Sequence, residues 1–161
     1  MIRQVIDIIP EGILLTDLAG CIQKANRQME LMFGHSVDDL MGRSVEFLLP
    51  ATKRAMHSSL RKEYSSHPDM RLMGAGRDLY ALHANGQEFP VEVALAPMSL
   101  GENRYIVVTI ADITLRKKTE AELVAYRNHL ESLVEKRTRE LTLAMQAAES
   151  ANIAKSAFLA N

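Results

Sequence analysis

The sequence predicts an α+β domain, in which an antiparallel sheet is flanked by short helices, followed by one long C-terminal helix. As far as the junction Asp112-Ile113-Thr114, short apolar runs alternate with turns, which is typical of a domain built on a sheet. From Leu115 to Asn161 there is no glycine and no proline, and most residues are good helix formers. We therefore expect a domain over residues 1–114 and a helix over residues 115–161.

The overall composition narrows the class of protein. The chain has 161 residues, a formal net charge of −1 and no tryptophan, which fits one globular domain with an extension. Such a near-neutral charge gives no support to a nucleic-acid-binding function. Cys21 is the single cysteine, so no disulfide can form within the chain. No apolar stretch approaches the ~20 residues that cross a bilayer, and the N-terminus lacks the features of a signal peptide, so we expect a cytoplasmic protein.

One β-hairpin and several helices are predicted for the first 70 residues. These helices have residues that can cap their N-termini, or a proline or glycine that ends them. The elements, in order, are an amphipathic helix with Ile2, Val5, Ile6 and Ile9 on one face, strands at 13–17 and 21–25, short helices after Asn26 and Ser36 and at 44–49, and a longer helix between Pro50 and Pro68.

Three further strands, at 78–84, 88–98 and 105–111, complete a predicted five-stranded sheet. Asn85-Gly86, between the first two, is a strong signal for a tight hairpin. In the last two strands apolar residues alternate with a period of two, but the residues between them are also rather apolar. A sheet that is apolar on both faces is covered on both. We therefore expect the short helices on one face, enclosing a small cavity, and the N-terminal helix or a second subunit on the other.

Two apolar seams run along the predicted long helix, with the spacing of three and four residues that a coiled coil requires. The first seam consists of Leu123, Tyr126, Leu130 and Leu133. The second seam is offset from it by one residue and consists of Val134, Leu141, Ala144, Ala148 and Ala151. Arg137 falls where an apolar residue is expected. We predict a parallel two-stranded coiled coil with a phase break near Val134, where the coil is locally rewound; packing of one amphipathic helix on another domain is the alternative.

These elements, in this order, resemble the PAS sensor family over about residues 1–117. The motifs that carry the resemblance are Pro10-Glu11-Gly12-Ile13, Asn26-Arg27, Gly42-Arg43-Ser44, Asn85-Gly86-Gln87-Glu88-Phe89-Pro90 and Asp112-Ile113-Thr114. The resemblance implies a PAS fold with a sensory function. It also implies that Asp112, Ile113 and Thr114 transmit the signal from the last strand to the outgoing helix. An aspartate at the end of a strand can cap the helix that follows, which gives this role a physical basis.

Residues 148–161 resemble the segment that leads into the dimerisation and phosphoacceptor helix of hybrid sensor histidine kinases. In those kinases the phosphorylated histidine lies just beyond this segment. His129 does not have the family's His-Glu-x-x-Arg setting, and no glycine-rich nucleotide-binding pattern is present. The resemblance implies the sensor and transmitter part of a two-component phosphorelay. It implies a homodimer that acts on a kinase core and a response regulator, without kinase activity of its own.

The segment from His57 to Met98 resembles the haem-based oxygen-sensing PAS kinases of the FixL type. The residues that carry this resemblance are His57, Tyr64, Gly74-x-Gly76-Arg77, Gly86, Phe89-Pro90 and Met98. The resemblance implies a haem whose iron is bound by His57. The other implied contacts are Arg77 as the distal donor, Leu72, Val93 and Leu95 on the distal side, and Arg71 beside a propionate. Glu63 departs from the pattern, because those sensors have an arginine there that helps to hold a propionate.

Other occupants of the predicted cavity remain open. A flavin is disfavoured because the short helix at 44–49 contains no cysteine. A metal site needs clustered ligands, and the histidines and carboxylates do not show that spacing. A small organic ligand, or no ligand at all, is also compatible with the sequence; in the second case the domain serves only to dimerise. An enzymatic function has little support, since neither a nucleophile with a base nor paired carboxylates across an apolar cleft are found.

The hypothesis that follows for the function is mechanical. A change in the cavity shifts the strands that end at Asp112, and the paired helices that begin near Leu115 then rotate or slide. The phase break near Val134 absorbs that change or passes it on to the kinase core. A helix pair with two nearly equal registers is the kind of bistable element that such switching requires.

Overall fold

A six-stranded antiparallel sheet forms the frame of the domain. In this computed structural model, which describes residues 6–74 and 78–161, the strands are β1 (Gly12–Asp17), β2 (Ile22–Ala25), β3 (Arg71–Leu72), β4 (Leu79–Leu82), β5 (Glu88–Leu100) and β6 (Asn103–Asp112). Their order in the sheet is β2-β1-β6-β5-β3, and β4 also pairs with β5. The last strand in the sequence is therefore the central strand of the sheet.

Four short helical elements connect the N-terminal hairpin to the rest of the sheet. They are α1 (Arg27–Phe33), α2 (Val37–Leu40), a 3₁₀ helix (Val45–Leu48) and α3 (Ala51–Ser66). The first two begin as their sequences predict, because the side chains of Asn26 and Ser36 accept hydrogen bonds from the backbone N–H groups of Met29 and Asp39. Gly34 ends α1 in the left-handed conformation, with φ of 72°, which is readily available to glycine.

The predicted α+β class and all five predicted strands are confirmed. The structure adds a sixth, because Arg71–Leu72, in the loop that the predicted elements leave between Pro68 and residue 78, pairs with Leu95 and Ala94 of β5. Residues 6–8 of the predicted N-terminal helix are helical. The first part of that helix, and the end of the predicted loop at residues 75–77, lie outside the described residues.

One face of the sheet and the short helices together enclose the hydrophobic core. The largest side chains that are completely buried come from β1, β2, α1 and α2, and they are Phe33, Leu14, Ile22, Met29 and Leu40. The ring of Phe33 meets that of Phe89 edge to face, with 5.3 Å between their centroids. These residues join α1 to both halves of the sheet. The opposite face carries half-buried apolar residues, including Leu15 and Val107.

Asn26 connects the N-terminal segment to the hairpin and to α1. It is 4% exposed, and each of its two amide atoms makes two hydrogen bonds. Its Oδ1 accepts from the N–H groups of Ile13 and Met29, and its Nδ2 donates to the carbonyls of Ile6 and Glu11. An aspartate in its place could not donate the last two hydrogen bonds.

A single helix, α4 (Thr114–Ala160), follows β6 and is 47 residues long. From Arg116 onwards it forms the second of two compact units, Met1–Leu115 and Arg116–Asn161. No residue of α4 is buried. Its predicted helical state is confirmed, with ion pairs between successive turns, such as Arg139–Glu135 at 2.8 Å. Among the helices in the described ranges, none has the combination of length and apolar character needed to span a bilayer.

Candidate functional site

The side chain of His57, on α3, lies against the carboxylate of Glu46, on the 3₁₀ helix. Nδ1 of His57 is 3.0 Å from Oε1 of Glu46. Arg61, one turn further along α3, donates from Nε to the same oxygen at 2.8 Å, and the hydroxyl of Ser44 donates to Oε2. Residues four apart in a helix share one face, so α3 presents His57 and Arg61 together. We refer to Ser44, Glu46, His57 and Arg61 as the Glu46 cluster.

The carboxylate of Glu46 is ionised in this cluster. Burial raises its pKa, but the hydrogen bonds from Arg61, Ser44 and His57 together lower it by more. The pKa therefore falls from its ordinary value of 4.5 to about 2. An ionised carboxylate can only accept hydrogen bonds, so Nδ1 of His57 carries a proton. In the neutral imidazole, Nε2 is then the nitrogen that has a free lone pair.

Polar contacts also hold α3 to the turn between β1 and β2. Nη1 of Arg61 and the hydroxyl of Ser65 both donate to the carbonyl of Leu18, at 3.4 and 3.1 Å. Gly20 permits this approach, because a Cβ at that position would lie 2.5 Å from Nε of Arg61. Only Tyr64 is buried among the residues of α3. Hydrogen bonds and ion pairs are therefore a large part of what fixes this helix.

The structure does not bring all the predicted cavity residues together. Residues directly opposite each other in an antiparallel pair project from the same face of the sheet. Leu72 of β3 lies opposite Ala94 of β5, and it is 65% exposed. The neighbours of Ala94, Val93 and Leu95, project from the other face, where Val93 packs against the core. Leu72 is thus on the face away from the core, and Arg77 is outside the described residues.

Arg71 lies near the end of α3, on the same face as Leu95. Its guanidinium carbon is 4.6 Å from the centre of the Tyr64 ring, and its Nε is 3.7 Å from Oδ1 of Asp69. The hydroxyl of Tyr64 donates to the backbone carbonyl of Asp69, and burial raises the pKa of that hydroxyl. A haem propionate beside Arg71 would have to compete with Asp69 for the guanidinium.

The predicted transmission residues lie where the central strand ends. Oδ1 of Asp112 accepts a hydrogen bond at 2.8 Å from the backbone N–H of Thr114, the first residue of α4. Ile113 is buried, and its N–H donates to the carbonyl of Pro90 in β5 at 3.1 Å. The junction is therefore hydrogen-bonded to the sheet on one side and to the start of the helix on the other.

Asp112 also lines a surface hollow of about 400 Å³. The hollow lies between the outer side of α1, the segment before β1 and the end of β6. Its lining residues are Pro10, Glu11, Gln28, Leu31, Met32, Ala111 and Asp112. Among the described residues, none of the predicted haem contacts lines this hollow.

Family comparison identifies this domain. Residues 1–113 match the family model of the PAS fold. The chain belongs to the PAS family. The first unit is accordingly a PAS domain, and the junction at Asp112-Ile113-Thr114 lies where that domain ends and α4 begins.

Two similar proteins match this chain over a region that includes part of α4. The sensor protein FixL of Bradyrhizobium diazoefficiens is 27% identical over 129 residues, which cover 80% of this chain and 26% of that protein. The cell-division control histidine kinase PdhS of Brucella ovis is 23% identical over 140 residues, which cover 87% of this chain and 13% of that protein. The chain is thus a PAS domain related to sensor histidine kinases, and it spans 26% of the length of the first and 13% of the second.

Solved structures of PAS domains have the same fold. The PAS domain of a protein from Colwellia psychrerythraea has a TM-score of 0.60 at 20% identity, with 69% of this chain and 92% of that chain covered. The PAS domain of an HTR-like protein from Haloarcula marismortui has a TM-score of 0.60 at 17% identity, covering 70% and 88% of the two chains. At these identities the likeness concerns the fold alone.

Glu46 and Arg61 are not among the site residues predicted from the sequence. Two signals point to them: a single carboxylate in the otherwise apolar Val45–Leu48, and the spacing of four residues between His57 and Arg61. Neither signal shows that the 3₁₀ helix lies beside α3. That contact depends on tertiary packing, and it determines what His57 faces.

Replacing Glu46 with glutamine should lower the stability of the PAS domain at pH 7 and make it less dependent on pH. Because the pKa of Glu46 is lower in the folded state, its ionisation stabilises the fold above pH 4.5, and this contribution is lost as the pH falls towards 2. The difference in unfolding free energy between wild type and Glu46→Gln should shrink by about 2 kcal/mol from pH 7 to about pH 3. Urea unfolding followed by near-ultraviolet circular dichroism measures it.

The matched control is Glu63→Gln, since Glu63 is an exposed glutamate on α3 outside the cluster. The difference in unfolding free energy between Glu63→Gln and wild type should be the same at pH 7 and at about pH 3. A difference for Glu46→Gln that also stays constant with pH would contradict the depressed pKa.

Proposed function

We propose that this chain is the cytoplasmic sensor and transmitter segment of a two-component sensor histidine kinase. In this proposal the PAS domain controls a kinase core, and through it a response regulator, by way of α4 in a parallel homodimer. The observation that carries the proposal is the continuity of the central strand β6 with a helix of 47 residues, none of which is buried. The similarity to FixL and PdhS, which extends into α4, supports the link to kinases.

The exposed surface of α4 supports a second copy of the chain as the partner. Leu123, Leu130 and Leu133 lie on one face and are 66%, 40% and 43% exposed. A fully buried leucine contributes about 1.5–3 kcal/mol relative to an exposed one. Parallel packing of two α4 helices would bury this face against its own copy, as in a coiled coil.

The β6–α4 junction supports a mechanical form of transmission. Asp112 holds the N–H of Thr114 while Ile113 is tied to β5, so the start of α4 follows the end of the sheet. A signal that tilts β5 and β6 would therefore be passed to the helix rather than lost in a linker. The segment needs no catalytic residues of its own for this function.

A haem sensor is the second candidate, and the contact of His57 Nδ1 with the carboxylate of Glu46 is the observation that favours it. Histidines that bind a metal usually donate their other ring N–H to a carboxylate or carbonyl, and Nδ1 of His57 contacts Glu46 in this manner. Nε2 would be the iron ligand, with Val93 and Leu95 on the core-facing side of the sheet. A bound haem would supply an iron whose ligand or redox state can change. Leu72, on the opposite face, does not fit the implied contacts.

A dimer of the whole chain is the first expectation of this proposal. Sedimentation equilibrium should give twice the monomer mass. Leu130→Asp should weaken the dimer by about a hundredfold or more, because each pair would bury two carboxylates in place of two leucines. Val124→Asp is the matched control: Val124 is 46% exposed and lies on neither seam, so this dimer should persist. A monomeric wild-type chain would contradict the proposal.

Asp112→Ala should uncouple the PAS domain from α4. Loss of a capping side chain costs about 1 kcal/mol, so amide hydrogen exchange at Thr114 and in the next turn should become faster. In a kinase that contains this segment, Asp112→Ala should make output independent of the signal. Asp112→Asn retains a capping oxygen and should behave as wild type. Normal regulation in the alanine variant would count against transmission through this junction.

The haem hypothesis predicts a Soret band in protein purified from haem-supplemented cells. His57→Ala should abolish the band, since it removes the proposed ligand. His67→Ala, which changes an exposed histidine at the end of α3, should leave it intact. A wild-type spectrum without visible absorption would exclude haem and flavin together. The remaining occupants would then be a colourless organic ligand or none, and in the latter case the domain would act as a ligand-free dimerisation module.

A further inference from the structure

One line of residues along α4 belongs to both apolar seams. Residues seven apart lie on nearly the same side of a helix in a coiled coil. The common line consists of Leu123, Leu130, Arg137, Ala144, Ala151 and Phe158. On one side of it lies the Tyr126 line, which consists of Tyr126, Leu133, Glu140, Ala147 and Ala154. On the other side lies the Val134 line, which consists of Arg127, Val134, Leu141, Ala148 and Lys155.

A coiled coil can use the common line with either neighbour. Towards the N-terminus the Tyr126 line is the better partner, because Tyr126 is an aromatic residue where the Val134 line has Arg127. One heptad after Leu133 the preference reverses, since the Tyr126 line has Glu140 and the Val134 line has Leu141. The interface that suits the first half of α4 therefore meets a charge in its middle.

That charge has an oppositely charged neighbour on the common line. Nη1 of Arg137 is 3.3 Å from Oε2 of Glu140 in the same helix. Packing on the Tyr126 line brings both residues into the interface as a neutral pair. Packing on the Val134 line leaves Arg137 in the interface, moves Glu140 to its flank and buries Leu141 instead.

We propose that two copies of α4 pair in two registers, which share the common line, and that Arg137 and Glu140 determine the balance between them. The inference rests on the proposed dimer and adds to it the residues that select its register. In each register the interface is centred midway between the common line and its partner line. The two partner lines are about 100° apart, as neighbouring residues are, so this centre moves by half of that angle. The two registers therefore differ by a rotation of about 50° of each helix about its own axis.

In the middle of α4, around Arg137 and Glu140, the energies that favour the two registers are comparable in size. Burying Leu141 favours the Val134 line by the free energy of one leucine side chain. Against this, packing on the Val134 line moves Glu140 to the solvated flank, where water weakens its attraction to Arg137, and a poorly neutralised charge in an interface is unfavourable. The Tyr126 line has Ala147 where the Val134 line has Ala148. Either register therefore buries one alanine at this level, and these residues add little to the energy difference between the registers.

Cross-linking at these two alanines measures the balance. Ala147→Cys and Ala148→Cys are made separately in the full chain, with Cys21→Ser to remove the native thiol. A disulfide needs Cβ atoms about 3.5–4.5 Å apart, so position 147 reports the Tyr126 line and position 148 the Val134 line. Under reversible thiol exchange, we expect both positions to form disulfides in the otherwise wild-type chain.

Substitutions of the charged pair should then move the balance in opposite directions. Glu140→Leu makes the Tyr126 line apolar, and should raise the yield at 147 relative to 148 by about fivefold or more. Arg137→Leu leaves Glu140 without a counter-charge on the Tyr126 line, and should shift the ratio towards 148. Glu135→Leu is the matched control, because Glu135 pairs with Arg139 at 2.8 Å and lies on none of the three lines.

The inference is overturned if the dimer forms disulfides at only one of the two positions, and if neither Glu140→Leu nor Arg137→Leu produces disulfides at the other. Sedimentation of the same samples separates this result from failure of the proposed function. A monomer would give no disulfides at either position and would overturn the dimer itself.

Discussion

Ten consecutive residue pairs join β6 to β5, and six join it to β1, so the central strand is hydrogen-bonded along both edges. A slip of one residue would move Ile106 and Ile110 out of the core and bring the opposite face of the strand into it. Burial of these side chains therefore fixes the register of β6 and, with it, the position of Asp112. Since α4 begins two residues later, the helix starts from a fixed point on the sheet.

The PAS domain attaches its helices to that sheet in two different ways. Helix α1 is held by apolar contacts, with Met29 and Phe33 completely buried. Helix α3 buries only Tyr64 and is held by the Glu46 cluster and by contacts to the turn after β1. Charge-assisted hydrogen bonds are strong but depend on the ionisation of their partners. Conditions that change the charge of Glu46 should therefore affect α3 before they affect α1.

The sequence was most informative where local chemistry sets the end of an element. Asn26 and Ser36 mark the starts of helices without reference to the rest of the fold, and those starts were predicted correctly. β3 could not be predicted, because its two residues become a strand only through pairing with Leu95 and Ala94. The surroundings of His57 also depend on a distant segment. The resemblance implied a haem iron as its neighbour, but it gave no sign of the contact with Glu46, eleven residues earlier in the chain.

Apolar packing defines the geometry of the PAS core much more sharply than that of the α4 surface. In the core, large side chains such as Phe33 and Leu14 are completely buried, so a competing arrangement would lose several kcal/mol of burial. Beyond Arg137, much of the apolar character of the seams of α4 comes from alanines, which bury little area and discriminate weakly between neighbouring lines. One charged pair can then outweigh several apolar contacts. A signal can shift an equilibrium only when its states differ by a few kcal/mol, and in the proposed dimer an alanine-rich seam interrupted by Arg137 and Glu140 would keep the difference that small.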